Sequence, residues 1–286
     1  MMTTMQRFSR RLGRRYILLS LLIGSLIVGS AMVRAASLDE SANYAFGVYN
    51  GSGFYTATSS NATVLLLNFP YSWPVSDEGS PWHWRLAVAT GFFDYDGDDV
   101  ADFELPSSLD TLTIVPGIEY HFQMSDTWVL RPFFDLGYAG NLSTGEEAIV
   151  AGVGVVSEKH WGGTGVPHVW FNKLIYSEYE TRKSGFHDEY AEILTGIDYR
   201  FDHCLIVAGV QVVPTLYSML FYRYNDIDVL ERLDNGYRDE FTIEVGATLY
   251  APKPMDLSVI ELNRVGIGYQ EAPYGHLVRI VFGALY

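Results

Sequence analysis

The feature that most constrains the fold of this chain is an alternation of apolar and polar residues with a period of two. In LTIVPGIEYHFQM, residues 112–124, every second position is apolar or proline, and the positions between them include threonine, glutamate, histidine and glutamine. The same pattern is present at 82–92, 127–140, 191–201 and 241–249. Successive side chains of a β-strand point to opposite faces, whereas helical side chains repeat about every 3.6 residues. The alternation therefore predicts strands that each have one apolar face.

Segments of this kind recur along the whole chain after residue 42. They centre near residues 43–54, 62–71, 82–94, 110–124, 127–140, 147–158, 166–179, 188–201, 204–222, 237–250, 257–270 and 275–286. The links after the fourth, eighth and tenth segments are short (MSD, DH and APKPMD). The links after the third and ninth segments are long and acidic (DGDDVADFELPSSLD and NDIDVLERLDNG). If short and long links alternated strictly, the links after the second and sixth segments would be short, but they are long. Short turns on one side and long loops on the other are typical of outer-membrane barrels.

The direction of the apolar faces separates two fold classes. An exported β-sandwich or lipocalin-like barrel would turn them inward, away from water. Here the polar sets are rich in glycine, alanine and threonine, which suits a crowded lumen, and the apolar sets run uninterrupted through several strands. In hydrocarbon each unpaired backbone group costs several kcal/mol, so such strands have to close into a ring. We therefore predict an all-β fold, a transmembrane antiparallel β-barrel of twelve strands, with short periplasmic turns and longer acidic extracellular loops.

The first residues predict the compartment. Arginines at positions 7, 10, 11, 14 and 15 precede an uncharged apolar stretch at 16–33, and Val33 and Ala35 occupy the −3 and −1 positions of a cleavage site before Ala36. This order is typical of a cleaved secretory signal peptide, and an uncleaved membrane anchor is the alternative. We predict a signal peptide at 1–35, a single barrel domain at 36–286, and a location in the bacterial outer membrane.

Charge and cysteine content exclude some classes of partner. Without residues 1–35 the chain has 13 basic and 34 acidic residues, a formal charge of −21. Such a surface repels nucleic acid. The expected partners are outer-membrane lipids and lipopolysaccharide, the outer-membrane β-barrel assembly machinery, and small solutes. Cys204 is the single cysteine, so it forms no internal disulfide, and we expect it to be a small apolar residue on a strand.

The last segment, HLVRIVFGALY at 276–286, alternates up to Tyr286. We expect this strand to pair with the first one and to place Tyr286 at the periplasmic interface. Aromatic rings near strand ends form the interfacial girdles of such barrels. The candidates are Tyr44, Trp82, Tyr120, Trp128, Tyr138, Tyr199, Tyr237, Tyr269 and Tyr286.

Charged residues on the polar faces are expected to line the lumen. They are Arg85, Glu119, His121, Arg131, Asp135, Glu192, Asp198, Arg200, Arg238, Glu240, Glu244, Arg264 and Arg279. Charges of both signs on facing walls would pair and fill a narrow lumen. The functional alternative is a small pore in which charged side chains select solutes.

We predict no catalytic, cofactor-binding or metal-binding residues and no enzymatic activity. None of the histidines has a serine two residues away, as lipid A deacylases require. His187 and Asp188 are the nearest match to a protease pair, but adjacent strand residues point to opposite faces. The stretch DYDGDD at 94–99 resembles the start of a calcium loop, yet Leu105 occupies the twelfth position and Glu104 lies beside it. We interpret this stretch as a solvated acidic loop; the alternative is a loop that divalent cations bridge to phosphorylated lipid headgroups.

Three stretches resemble a known family. The leader, VPGIEYHFQMSDTWVLRPFFDLGYAG at 115–140, and VRIVFGALY at the end of the chain resemble the solitary outer-membrane autotransporter-like β-barrel family. The resemblance implies a twelve-stranded translocator-type barrel without a secreted passenger. Only ASLDESAN, 36–43, separates the cleavage site from the first segment, so self-secretion is not implied. The function that we expect is structural or that of a narrow channel. The alternatives are a hydrolase of phospholipid or protease type at the rim, and an adhesive surface protein that acts through its loops.

Overall fold

The structure is a computed structural model. It describes residues 47–58, 63–76, 79–92, 111–142, 144–162, 165–183, 185, 187–224, 239–256, 261–272 and 275–286. The signal peptide predicted at 1–35 and the acidic loop at 94–105 lie outside these residues. Among the described residues, no helix is long and apolar enough to cross a membrane.

The described chain is built of antiparallel strands. They are β1 (Gly53–Thr58), β2 (Thr63–Pro74), β3 (Trp82–Phe92), β4 (Thr111–Tyr120), β5 (Phe122–Ser125), β6 (Trp128–Asn141), β7 (Glu146–Trp161), β8 (His168–Thr181), β9 (His187–Arg200), β10 (Leu205–Val207), β11 (Val210–Tyr224), β12 (Asp239–Asp256), β13 (Glu261–Ala272) and β14 (Gly275–Phe282).

These strands close into one barrel. Consecutive strands pair with each other except around the short strands β5 and β10. The ring closes where β1 pairs with β14, from Gly53 opposite Val281 to Thr58 opposite His276. Strands β4 and β5 both pair with β6 and form one strand interrupted at His121. Strand β10 pairs only with the start of β11, whose remainder pairs with β9. In the part of the chain that the structure describes, the ring therefore has twelve strands, which confirms the predicted all-β antiparallel barrel.

The two ends of the barrel differ in their connections. We call the end that holds residues 47–52 and 283–286 the terminus end. Its connections span 75–81, 126–127, 162–167, 201–209 and 257–260, and those of the opposite end span 59–62, 93–110, 142–145, 182–186, 225–238 and 273–274. The two long acidic connections both lie at the opposite end, as predicted, but the other connections there are as short as those at the terminus end.

The side chains follow the predicted alternation. On β9, Ile193 and Ile197 are 54% and 47% exposed on the outside of the barrel, while Glu192 and Asp198 are each 1% exposed inside. Strands β4, β6, β11 and β12 show the same sorting. The apolar faces therefore point outward and the charged faces inward, which is opposite to the arrangement of a soluble barrel.

Aromatic side chains mark both ends of the outer surface. At the terminus end Trp82, Trp128 and Tyr199 are exposed, and the Trp82 ring packs edge-on against Tyr120 with centroids 4.8 Å apart. Other exposed aromatic rings at this end are Tyr71, Trp73, Trp84, Phe122, Trp161, Trp170 and Phe201. At the opposite end Tyr138, Tyr176 and Tyr269 are exposed. The exposed aromatic rings at the two ends lie where interfacial girdles are expected. Two of the predicted girdle residues, Tyr44 and Tyr237, lie outside the described residues.

Three predicted strand boundaries are wrong. The first predicted strand, 43–54, is not a strand over its described part, because residues 47–49 form a 3₁₀ turn and β1 begins only at Gly53. The link APKPMD at 251–256 belongs to β12, which continues to Asp256 past an irregularity in its pairing with β13. The ninth predicted segment, 204–222, is wrong at its start, because β10 turns back at Ala208 and Gly209 onto β11, which begins at Val210. A local period does not locate these boundaries, because the residues before Gly53 alternate as those after it do, the residues near 204–213 are apolar on both faces, and APKPMD interrupts the alternation within a strand.

Two residue placements are also wrong. Cys204 is exposed and lies in the connection between β9 and β10, not on a strand. The last strand ends at Phe282, and Gly283 adopts a φ of 82°, a conformation that favours glycine. The chain therefore turns away from the barrel wall at Gly283. Tyr286 lies inside the lumen and not at the outer interface.

Candidate functional site: the lumen and its terminal plug

The charged residues predicted to line the lumen do point inward, and they form ion pairs across its walls. Arg238 lies outside the described residues, and the side chain of Glu240 is not described. The pairs are Arg85 with Glu119 and Asp135, Arg131 with Glu158, Lys173 and Arg223 with Glu192, Arg200 and Arg264 with Asp198, and Arg279 with Glu244. A charge removed from water is tolerated only when it is paired and hydrogen-bonded, which accounts for this arrangement.

Some pairs join strands that are not neighbours, so they narrow the lumen. Arg264 on β13 donates to both carboxylate oxygens of Asp198 on β9, at 3.1 and 2.6 Å, and strands β11 and β12 lie between them. The guanidinium of Arg264 also donates to the hydroxyl of Thr248 at 2.9 Å. A two-pronged contact between arginine and a carboxylate fixes both side chains.

The first half of an internal obstruction consists of residues 47–52. The amide of Asn68 on β2 donates to the carbonyl oxygens of Gly47 and Val48, each at 3.2 Å, and also to that of Asn50. The Lys173 ammonium group on β8 donates to the carbonyl oxygen of Tyr49 at 2.5 Å. The segment therefore crosses from β2 towards β8 inside the barrel.

The second half consists of residues 283–286. The backbone N–H and hydroxyl of Ser52 donate to the carbonyl oxygen of Ala284, at 3.0 and 2.8 Å, so the two halves are joined. The Tyr286 ring stacks on Phe171 with centroids 3.9 Å apart, and its hydroxyl donates to Glu158 at 2.7 Å. We call residues 47–52 and 283–286 together the terminal plug.

Arg279 on β14 holds both halves of the terminal plug. Its guanidinium donates to the carbonyl oxygen of Ser52 at 2.8 and 3.2 Å, to that of Ala284 at 3.0 Å, and to that of Leu285 at 3.0 Å. It also pairs with Glu244 at 3.2 Å, and only 1% of its surface is exposed. Hydrogen bonds from a charged donor are stronger than those between neutral groups. One side chain thus ties the terminal plug to the wall.

Glycines on the inner wall make room for aromatic rings. A Cβ atom at Gly154 would lie within 3 Å of the Phe133 ring, which is directly opposite on β6. A Cβ atom at Gly196 would likewise lie within 3 Å of the Phe171 ring opposite it on β8, and one at Gly246 within 3 Å of the Tyr217 ring opposite it on β11. These glycines let large rings lie flat against neighbouring strands and fill the lumen.

The structure places the described histidines at both ends of the barrel. His121 contacts Glu119 at 2.7 Å and stacks on His83 with ring centroids 3.7 Å apart, both at the terminus end of the lumen. His187 is exposed at the opposite end, and the side chain of Asp188 is not described. Within the described ranges, no group of three or more His, Cys, Asp and Glu side chains could hold a metal ion.

Sequence reasoning missed three charged members of the lumen and all of the terminal plug. Lys173 lies in a segment with mixed faces, Glu158 follows a run that is apolar on both faces, and Arg223 lies one residue beyond a predicted strand. Their inward position follows from extending the period of two by a few residues. The terminal plug had no such signal, because its residues continue the alternation of the adjacent strands.

Comparison with known proteins gives similarity of fold only. No family model and no curated protein sequence matches the chain. Among solved structures, the β domain of the Bordetella autotransporter BrkA is 11% identical, with 82% of this chain and 100% of that chain covered and a TM-score of 0.38. The siderophore receptor PirA from Pseudomonas aeruginosa is 11% identical, with 81% and 40% covered and a TM-score of 0.34. PirA from Acinetobacter baumannii is 9% identical, with 82% and 41% covered and a TM-score of 0.34.

The chain thus spans about two fifths of the length of the siderophore receptors that it matches. Its own pairing pattern defines the class of fold. It is a closed antiparallel barrel of twelve strands in its described part, with an apolar exterior and a charged interior. A barrel of twelve strands is also what the family resemblance of the sequence implies.

Proposed function

We propose that this chain is an integral outer-membrane β-barrel that acts as a narrow solute channel and is closed, in the described state, by the terminal plug. The observation that carries the proposal is the occupant of the lumen. Residues 47–52 and 283–286 lie inside the barrel but form no part of its wall. A lumen blocked by separate segments can open without a change in the pairing of the strands.

The outer surface supports the membrane part of the proposal. Apolar side chains cover the outside of the barrel between two sets of aromatic residues, as acyl chains and headgroups require. Outer-membrane lipids and lipopolysaccharide are therefore the proposed surroundings, and the assembly machinery of outer-membrane barrels is the proposed partner during insertion. We place the terminus end in the periplasm and the long acidic connections outside the cell.

The dimensions of the barrel support the channel part. Side chains just fill a barrel of about eight strands, so a ring of twelve leaves more room. The terminal plug is held by hydrogen bonds to its carbonyl oxygens and by apolar packing of Val48, Tyr49 and Leu285 inside the barrel. Water can replace the hydrogen bonds when the plug leaves. The proposal includes no catalytic step.

A structural barrel that never conducts is the second candidate. The observation that favours it is the burial of luminal side chains that belong to the wall and not to the terminal plug. Tyr190 is 0% exposed and donates to Glu192 at 2.6 Å, and Arg223 pairs with the same carboxylate at 3.0 Å.

Planar-bilayer recording separates the two candidates. Asn68→Leu removes the amide that binds the carbonyl oxygens of Gly47 and Val48, one of the anchors of residues 47–52, so we expect frequent, steady conductance steps where the parent barrel is mostly closed. Asn172→Leu makes the same change on the outer face of β8 and serves as the control, with expected conductance equal to that of the parent. Heat-modifiable migration in gels verifies that each variant is folded. Silence of the folded Asn68→Leu barrel would exclude the channel and leave the structural role.

A further inference from the structure

We infer that the solutes admitted by this barrel are anions, and this inference rests on the proposed channel function. The terminal plug currently occupies the hydrogen-bond donors of two luminal cations, Arg279 and Lys173. When the plug leaves, these donors line the open path and require acceptors. A small carboxylate, a phosphate or a halide supplies such acceptors together with the compensating charge.

The terminal plug forms more hydrogen bonds with basic side chains of the wall than with acidic ones. Its carbonyl oxygens accept four hydrogen bonds from Arg279 and one from Lys173. Toward the acidic side chains of the wall it donates one described bond, from Tyr286 to Glu158. Loss of the plug therefore leaves unpaired donors on cations and removes only one donor from an acid. A buried donor without an acceptor is unfavourable, more so when it is charged.

The acids nearest to these cations keep partners on the wall. Glu192 retains Arg223 and the hydroxyl of Tyr190 at 2.6 Å. Glu244 retains the hydroxyl of Tyr217, also at 2.6 Å, and Glu158 retains Arg131. Glu192 and Glu158 each keep a cationic partner, and Glu244 keeps Arg279 at 3.2 Å as well as the Tyr217 hydroxyl, so none of the three requires a cation from solution. The hydrogen-bond donors that loss of the plug leaves without acceptors therefore lie on the cationic side chains of Arg279 and Lys173.

The charge of the lumen differs from that of the whole chain. The chain has 34 acidic and 19 basic residues. The described luminal ion pairs do not share this excess, because they contain one more cation than acids. The cations are Arg85, Arg131, Lys173, Arg200, Arg223, Arg264 and Arg279, and the acids are Glu119, Asp135, Glu158, Glu192, Asp198 and Glu244. Charged side chains around a narrow path determine which sign of ion passes.

The test measures ion selectivity in the open Asn68→Leu barrel across a KCl gradient. The reversal potential is expected to show that chloride is more permeant than potassium. Adding Arg279→Gln should lower the chloride-to-potassium permeability ratio severalfold. Arg182→Gln is the control, because Arg182 is exposed at the opposite end and pairs with Glu147 at 3.3 Å, and it should leave the ratio unchanged.

The outcomes distinguish this inference from the proposed function. A folded barrel that conducts but prefers potassium, or an Arg279→Gln variant with an unchanged ratio, would overturn anion selectivity and leave the channel intact. A barrel that does not conduct removes both. If Asn68→Leu does not fold, Tyr286→Ala opens the second half of the plug. If Arg279→Gln does not fold, Lys173→Gln makes the same test, since Glu192 keeps Arg223.

Discussion

At the scale of single residues, the inner wall depends on glycines that lie under aromatic rings. Gly196 on β9 faces Phe171 on β8, and that ring also stacks on Tyr286 of the terminal plug. A side chain at Gly196 would displace the Phe171 ring and with it a contact of the plug. One inward glycine thus connects the packing of the wall to the closure of the lumen.

Gly196→Val is expected to lower the free energy of unfolding by about 1–3 kcal/mol, the range for overpacking of a filled interior. The measurement is urea unfolding of the detergent-folded barrel, followed by tryptophan fluorescence. Gly165→Val is the control, because no atom lies within 4 Å of a Cβ at that position. Equal stability of the two variants would show that the Phe171 ring does not depend on the glycine.

The residue scale also shows what the sequence could predict. The inward position of Asp198 and the outward position of Ile197 follow from a period of two, which is a local property of an extended chain. Tyr286 was predicted outside because it shares the parity of Ile280. Its real position depends on the turn at Gly283 and on a ring stack with Phe171, and these are contacts between distant parts of the chain.

At the scale of elements, the terminal plug depends on a tyrosine that has to stay protonated. Burial, together with the neighbouring carboxylate of Glu158, raises the pKa of the Tyr286 hydroxyl well above its ordinary value. The stability that this group adds to the plugged state is therefore fully present below its ordinary pKa. It is lost as the pH rises from that value towards the raised one.

We expect the open probability of the parent barrel to increase above about pH 10, where an unburied tyrosine ionises. In Tyr286→Phe the ring stack on Phe171 remains but the ionisable group is gone, so the part of the alkaline increase that Tyr286 causes should disappear. Single-channel recording between neutral pH and pH 11 makes the comparison. An identical profile in the two proteins would rule out Tyr286 as the group responsible.

Element boundaries were predictable where both neighbours of a strand are also regular. Strands β6 and β9 begin and end within a residue or two of the predicted segments at 127–140 and 188–201. The start of the first strand was not predictable, because the residues before Gly53 alternate in the same way as the residues after it. Asn68 and Lys173 hold those earlier residues inside the lumen, and a periodicity within one segment carries no information about such partners.

At the scale of the whole molecule, the orientation of the apolar faces determines which solvent the barrel meets. Val153 lies in the middle of β7 and Leu142 just after the end of β6, and their exposed fractions are almost equal, 52% and 53%. In water these two positions would tolerate a charge equally well. In a bilayer they differ, because one lies near the middle of the apolar band and the other near its edge.

An outward arginine costs about 2–4 kcal/mol at the bilayer midplane and about 0–1 kcal/mol near the interface. Val153→Arg should therefore destabilise the barrel by that larger amount, and Leu142→Arg should change its stability little. Reversible urea unfolding in phospholipid vesicles gives both values. Equal costs in vesicles would mean that the outer surface does not face lipid. The depth dependence thus tests the orientation on which the channel, its terminal plug and its selectivity all depend.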